Sequence, residues 1–297
     1  MIGYRVNLSE LEARVEAAKG GWLARARERT EAFRAAGDYE ESSNIWSEIK
    51  DAFLDLQYDK CAFCERKLGG KSYNRKEYDI EHFRPKNAVK AWPSQSFKTA
   101  RKLSYNFPLG EAAKKGYHLL PYNILNYTVA CTGCNSSLKA SYFPVGGKRV
   151  LDSDDYEKLK KEEAYLLCPV GENDDLDPED AITFEGIIPV PKVKRGPKKR
   201  RARVTIDFFD LAMREDLLRE RAGIIVSMWL AHRTLQNGSA SDDDKATARL
   251  IIEAAVSPRS PHTNCARAFR KLCEEDPQKA RAYKDLAQPI YRKLLEP

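Results

Sequence analysis

Two Cys-x-x-Cys pairs, Cys61-Ala-Phe-Cys64 and Cys131-Thr-Gly-Cys134, constrain this chain more than any other feature. Each pair presents two thiolates at the bite a tetrahedral Zn²⁺ ion takes, and the two together complete a shell of four. A closed Cys₄ shell leaves no position for water or substrate, so the ion expected here is structural. The pairs stand far apart for a minimal zinc ribbon, which implies that something is folded between them. Two unrelated pairs, or a redox Cys-x-x-Cys, are the alternatives. Structural zinc contributes on the order of 10 kcal/mol to folding, so loss of one cysteine is expected to unfold the centre. Cys168, Cys265 and Cys273 are scattered and read as small buried hydrophobes.

The start of the chain, Met1-Ile-Gly-Tyr-Arg5, lacks the basic and apolar stretches of a signal peptide, which argues against disulfides. No apolar run approaches the roughly 18 residues that span a bilayer. A soluble, cytoplasmic protein is expected. The 297 residues are 42% hydrophobic, enough for a packed core in one catalytic domain with appendages or in two modest domains. Net charge is +7, but Lys192–Arg203 alone carries eight basic residues and no acidic one, and without it the chain is at −1. Six acidic residues precede this run between Glu172 and Asp180. The local cluster, not the isoelectric point, is therefore the signal for a polyanion. A solvated tail or a contact to an acidic partner is its other reading.

Texture divides the chain into residues 1–57, 58–150 and 151–297. The first part reads as helical, with Leu11, Val15, Ala18, Trp22, Ala26 and Phe33 near helical spacing and Ser9 and Glu12 as a capping box. Gly37-Asp38 breaks this helix, and a second begins near Ser42-Ser43 and leads to Cys61. Glycine, proline, asparagine and aromatics interleave in the middle part, where Lys98–His118 reads as loop or short helix. The last part is expected to open with a Lys/Glu-rich helix over Leu151–Leu167. A hairpin over Ala181–Val190 follows, turned at Glu185-Gly186, with the basic run as its loop or tail. One or two helices over Val204–Leu235, a linker at Ser239–Asp244 and further helices to Leu295 complete the chain, with Pro258 and Pro261 as a boundary.

Between the cysteine pairs lies Tyr78-Asp-Ile-Glu-His-Phe-Arg-Pro-Lys86, and around the second pair Leu125-Asn-Tyr-Thr-Val-Ala-Cys-Thr-Gly-Cys-Asn-Ser-Ser-Leu-Lys139. The order Glu81-His82, Asn126, then Cys131-x-x-Cys134 followed at once by Asn135 and then Lys139 resembles the HNH (ββα-metal) endonucleases. Asn directly after the second pair is also similar to the phage junction resolvases of the endonuclease VII type. Cys-Ala-Phe-Cys-Glu65, Ile-Glu-His-Phe-Arg-Pro-Lys86 and Phe143-Pro144 resemble the HNH proteins of bacterial anti-phage systems, such as the Septu nuclease subunit and retron-associated HNH proteins. The resemblance covers roughly residues 58–146. It implies an α+β, mainly helical protein around a small zinc-stapled ββα-metal core. It also implies a DNA-cutting effector controlled by a partner, often an ATPase.

Phosphodiester hydrolysis needs a base for water and a cation for the leaving oxygen. His82 is expected to be the base, with Asn126 holding it or its backbone, as the middle Asn does in that family. Glu81 and Asn135 are expected to ligate one loosely held Mg²⁺ or Mn²⁺, with Asp79 as a further ligand or a supporting group. Arg84, Lys86 and Lys139 beside the site, and Lys198, Lys199, Arg200 and Arg201 in the basic run, are candidate phosphate contacts without base readout. His118, His232 and His262 fit no position of the pattern. An RNA-cutting toxin, or a zinc-stabilised binding module without activity, would carry the same residues.

Overall fold

The computed structural model describes residues 1–69, 77–172 and 174–293. The architecture is α+β and mainly helical, with two small antiparallel sheets of two strands each. At the N-terminus, α1 (Leu8–Ala18) and α2 (Trp22–Ala36) form two helices where the apolar spacing predicts one. Gly21 adopts a left-handed φ of 72° between them and turns the chain. Asn7, not Ser9, caps α1, since its side chain accepts from the Glu10 amide at 2.9 Å. Gly37 ends α2 in the left-handed conformation, as a C-terminal glycine does.

A 3₁₀ turn at Trp46–Ile49 and helix α3 (Lys50–Leu56) lead into the first cysteine pair. Strand β1 (Tyr78–His82) follows it, and the long stretch before the second strand carries α4 (Gln95–Ala100) and, just ahead of that strand, a 3₁₀ turn at Ile124–Asn126. Strand β2 (Tyr127–Cys131) then runs into a short π-helix, Gly133–Lys139. The two strands pair antiparallel from Tyr78↔Cys131 to His82↔Tyr127.

Over Leu151–Leu167 the expected long helix is reduced to Tyr156–Leu159 and a 3₁₀ turn at Lys160–Glu162. The backbone of Glu162–Tyr165 bonds instead to the 144–147 segment, through Gly147 N–Glu162 O, Gly146 N–Glu163 O and Tyr165 N–Pro144 O. The hairpin forms as β3 (Ile182–Glu185) and β4 (Ile188–Pro191), with Gly186 at a φ of 60° in its turn. The basic run is not its tail. From Pro197 it is the first half of a helix, α5 (Pro197–Phe208), because Ala202, Val204, Thr205, Ile206 and Phe208 bury one face.

Helices α6 (Glu215–Gln236), α7 (Asp242–Val256), α8 (Thr263–Glu275) and α9 (Pro277–Arg292) close the chain. One hydrophobic core runs without interruption from Met1 to Leu217, across residues 57/58 and 150/151. A second core, from Ile187 and Ala222 to Ala287, lies among these last helices and the turn of the hairpin. No described helix is long and apolar enough to cross a membrane.

Candidate metal centre and active site

The sulfurs of Cys61, Cys64, Cys131 and Cys134 lie within 4.8 Å of one another, and all four residues are buried. Cys64 Sγ and Cys131 Sγ are 3.9 Å apart. A zinc ion about 2.3 Å from each of four sulfurs sets them roughly 3.8 Å apart, so the cluster fits a tetrahedral metal ion such as zinc. Four thiolates on one divalent ion leave negative charge, and Arg214 answers it by donating from Nη1 to Cys134 Sγ at 3.3 Å. Arg66 joins the first pair to α6 through Asp216 and Glu220, at 2.8 and 2.6 Å.

Gln57 sets the distance between the first pair and β2. It is wholly buried, donates to the Lys60 and Val129 carbonyls at 2.9 and 2.8 Å, and accepts from the Val129 amide at 2.7 Å. This fastens the knuckle to the strand that ends in Cys131. The sequence pattern gives no sign of it, because a glutamine after a helix has no period to betray a buried role.

At the far end of the ribbon stand Glu81 and His82, opposite Thr128 and Tyr127. Both are 6% exposed. The His82 ring meets Trp46 and Tyr127 edge-on at 4.9 and 5.1 Å. Its Nε2 lies 3.0 Å from the Pro121 carbonyl, which the Tyr127 hydroxyl also reaches. Burial, then Lys86, pushes the imidazole down to about 3, against the pull of Pro121. The ring is therefore neutral near pH 7, and Nε2 must carry the proton to donate to Pro121. Nδ1 keeps the lone pair, which is the form a general base needs. Burial raises the Glu81 carboxyl to about 7, opposed by Lys139 and Lys86.

Asn126 is 1% exposed and straps the loop that follows β1. Its Oδ1 accepts from the Arg84 amide at 2.8 Å, while Nδ2 donates to the Arg84 and Leu120 carbonyls at 3.0 and 3.2 Å. Leu120 directly precedes Pro121, so the strap holds both the end of β1 and the acceptor of His82. Asn135 is half-buried in the first turn of the π-helix. Asp79 is exposed, 3.8 Å from Lys50 and on the opposite side of the strand from Ile80.

Several expected phosphate contacts are placed otherwise. Arg84 points inward, donating from Nε to the buried Glu162 at 2.6 Å, so its charge is spent on the core. Lys139 has no exposed surface, because the π-helix turns it onto Glu81, with Nζ 3.4 Å from Oε1. Arg201 is paired with Asp174 and donates to the Leu166 carbonyl at 3.0 Å. Lys86 is half-buried over the Trp46 ring at 4.6 Å, and Lys198, Lys199 and Arg200 face solvent at the start of α5.

The remaining histidines lie outside the site. His118 is buried near Asp152, His232 contacts Gln236, and His262 meets Glu220 at 2.7 Å. Cys168, Cys265 and Cys273 are buried and apart from the cluster. Comparison with protein-family models, curated proteins and solved structures finds no match to this chain.

Proposed function

We propose that this chain is a metal-dependent endonuclease of the HNH type that hydrolyses DNA phosphodiester bonds. The observation that carries the reading is the buried His82, whose Nε2 faces the Pro121 carbonyl at 3.0 Å and so leaves Nδ1 to act, beside Glu81 on a strand registered against a four-cysteine cluster. In this reading zinc on the four cysteines is structural. Glu81 and Asn135, a carboxylate and an amide oxygen, are the hard donors suited to Mg²⁺ or Mn²⁺. The bound ion supplies charge neutralisation at the scissile phosphate.

His82 Nδ1 takes the proton from the attacking water. Trp46 and Tyr127 pack edge-on against the ring and hold it in place, and its burial, then Lys86, keeps it from charging. Asn126 orients the strand end and the loop of Pro121. Lys198, Lys199 and Arg200 attract the polyanion without reading bases. The resemblance of the motif to anti-phage HNH proteins supports a defence role with an ATPase or another subunit as its partner.

Plasmid cleavage with Mg²⁺ or Mn²⁺, with and without such a partner, tests this, beside labelled tRNA as substrate. His82→Ala is expected to lose cleavage by roughly 10²-fold or more, the scale of a general base. Equal cutting by the variant would remove the assignment, and cleavage of the RNA alone would shift it to a toxin. One observation favours a second reading, a zinc-stabilised binding module: Glu81 is already matched by Lys139. That reading predicts no cleavage with any divalent ion.

A further inference from the structure

Lys139 ends the π-helix that opens beside the cysteine cluster, and none of its surface is exposed. Its Nζ lies 3.4 Å from Glu81 Oε1, and beyond this loose contact it finds no carbonyl or hydroxyl acceptor among the described residues. An ammonium has three donors and is strongly hydrated in water, so burying it against one loosely held carboxylate is costly. Its surroundings add to the cost. Lys86 and Arg149 repel it, and Glu81 is the carboxylate that attracts it. The ring of Phe143, 5.7 Å away, contributes a weak cation–π contact. A lysine that only braced the fold would be expected to spend its donors on nearby oxygens, as Lys60 does on the Ser260 carbonyl and the Thr263 hydroxyl.

We propose that Lys139 is a tethered cation occupying the place of the divalent ion beside Glu81, so that metal binds only in exchange for it. The inference rests on Glu81 being the metal-binding carboxylate of the proposed function. A Mg²⁺ ion sits about 2.1 Å from a carboxylate oxygen and keeps several waters. An ammonium in contact with the same oxygen would stand only a few ångströms from that ion, and the two repel strongly in a buried site. Lys139 therefore weakens metal binding until something else takes its charge. A phosphate of a nucleic acid entering the site is such an acceptor, because it is anionic and offers the oxygens the ammonium lacks. Metal and polyanion then strengthen each other's binding, and by linkage the effect is reciprocal. The site stays unloaded until nucleic acid arrives.

The test is Mn²⁺ binding to the zinc-loaded full chain, read from the electron paramagnetic resonance signal of free Mn²⁺ and needing no cleavage. Lys139→Met and Lys139→Gln are expected to bind Mn²⁺ on the order of ten-fold more tightly, or better, with Lys139→Arg close to the parent. Glu81→Gln should abolish the binding in every background. Duplex DNA made non-cleavable by phosphorothioates should tighten Mn²⁺ binding to the parent and leave Lys139→Met unchanged. Unchanged or weaker binding in both neutral variants would overturn the proposal, as would absence of Mn²⁺ binding throughout. Loss of zinc and of folded structure in both would overturn it too, by making Lys139 a brace. The Glu81→Gln/Lys139→Met double variant, which removes both charges, shows whether the fold tolerates the change. If Mn²⁺ binding behaves as expected while no nucleic acid is ever cut, the nuclease reading fails and this one stands. The converse pattern separates them the other way.

Discussion

Replacing Asn126 by alanine removes three hydrogen bonds from a site that is 1% exposed. The Arg84 amide is left as a buried donor with no acceptor, and the Arg84 and Leu120 carbonyls each lose a donor. A stranded buried N–H costs about 1–3 kcal/mol, and two under-satisfied carbonyls add less each, so the expected loss is roughly 2–4 kcal/mol. Urea denaturation of the zinc-loaded protein measures this as a shifted midpoint at constant slope.

Asn126→Asp sharpens the case. It keeps the acceptor for the Arg84 amide but turns a second carboxylate oxygen toward two carbonyl oxygens. Burial and that repulsion hold the folded-state pKa above the unfolded value of about 3.9. A raised carboxyl favours its neutral form in the folded state. Its stability penalty is therefore absent below the unfolded pKa and grows as pH rises toward and through the folded one. Asn126→Asp should thus lie nearer the parent at about pH 5 than at about pH 8. A loss below about 1 kcal/mol for the alanine variant, or an aspartate variant indifferent to pH, would refute the assignment of the strap.

Arg84→Met leaves Glu162, which has no exposed surface, without its counter-charge, and should cost about 3–5 kcal/mol in the same assay. Arg84→Met/Glu162→Gln should recover most of it, because a neutral amide can still accept from the Tyr117 hydroxyl, now 2.7 Å from Glu162. Burial holds the His262 imidazole below its ordinary value despite the Glu220 contact. The unfolded chain then binds a proton that the folded protein refuses. This part of the stability is whole above about pH 6.5 and is lost as pH falls below it, and His262→Gln should flatten that decline. A pH series of melting temperatures on the two proteins reads the difference, and identical slopes would show that His262 does not titrate in this window.

The cysteine spacing and the pattern through Tyr78–Lys86 were legible because both are local. The errors arose where a distant partner decides. Arg84 reads as a phosphate contact until Glu162, 78 residues away, is seen to hold it. Eight cations in Lys192–Arg203 read as the loop or tail of the hairpin, yet Asp174, Asp207 and the Ser104 carbonyl pair with two of their arginines and the apolar face of α5 packs. Asn-Ser-Ser-Leu-Lys139 carries no mark of π winding, so nothing in it foretells that Lys139 turns onto Glu81. The backbone bonds from Glu162–Tyr165 to the 144–147 segment outweigh the helical propensity of a Lys/Glu-rich stretch.

A ribbon of two five-residue strands is marginal alone, and a slip of one residue would turn each of Glu81 and His82 to the face opposite the one it now occupies. Both ends of this ribbon are tied. The Cys131 end joins the sulfur cluster, and Gln57 fastens the first cysteine pair to Val129 two residues earlier. The His82 end is closed by Asn126, whose carbonyl accepts from Phe83 while its side chain grips Arg84. The cluster cannot act on His82 by contact, because the length of the ribbon separates them. It acts through register, by fixing which residue of β2 faces which residue of β1. The orientation of the Glu81–His82 pair is thus set by groups that never touch it, and Lys139 belongs to the same logic, since the π-helix that carries it starts from the last two cysteines.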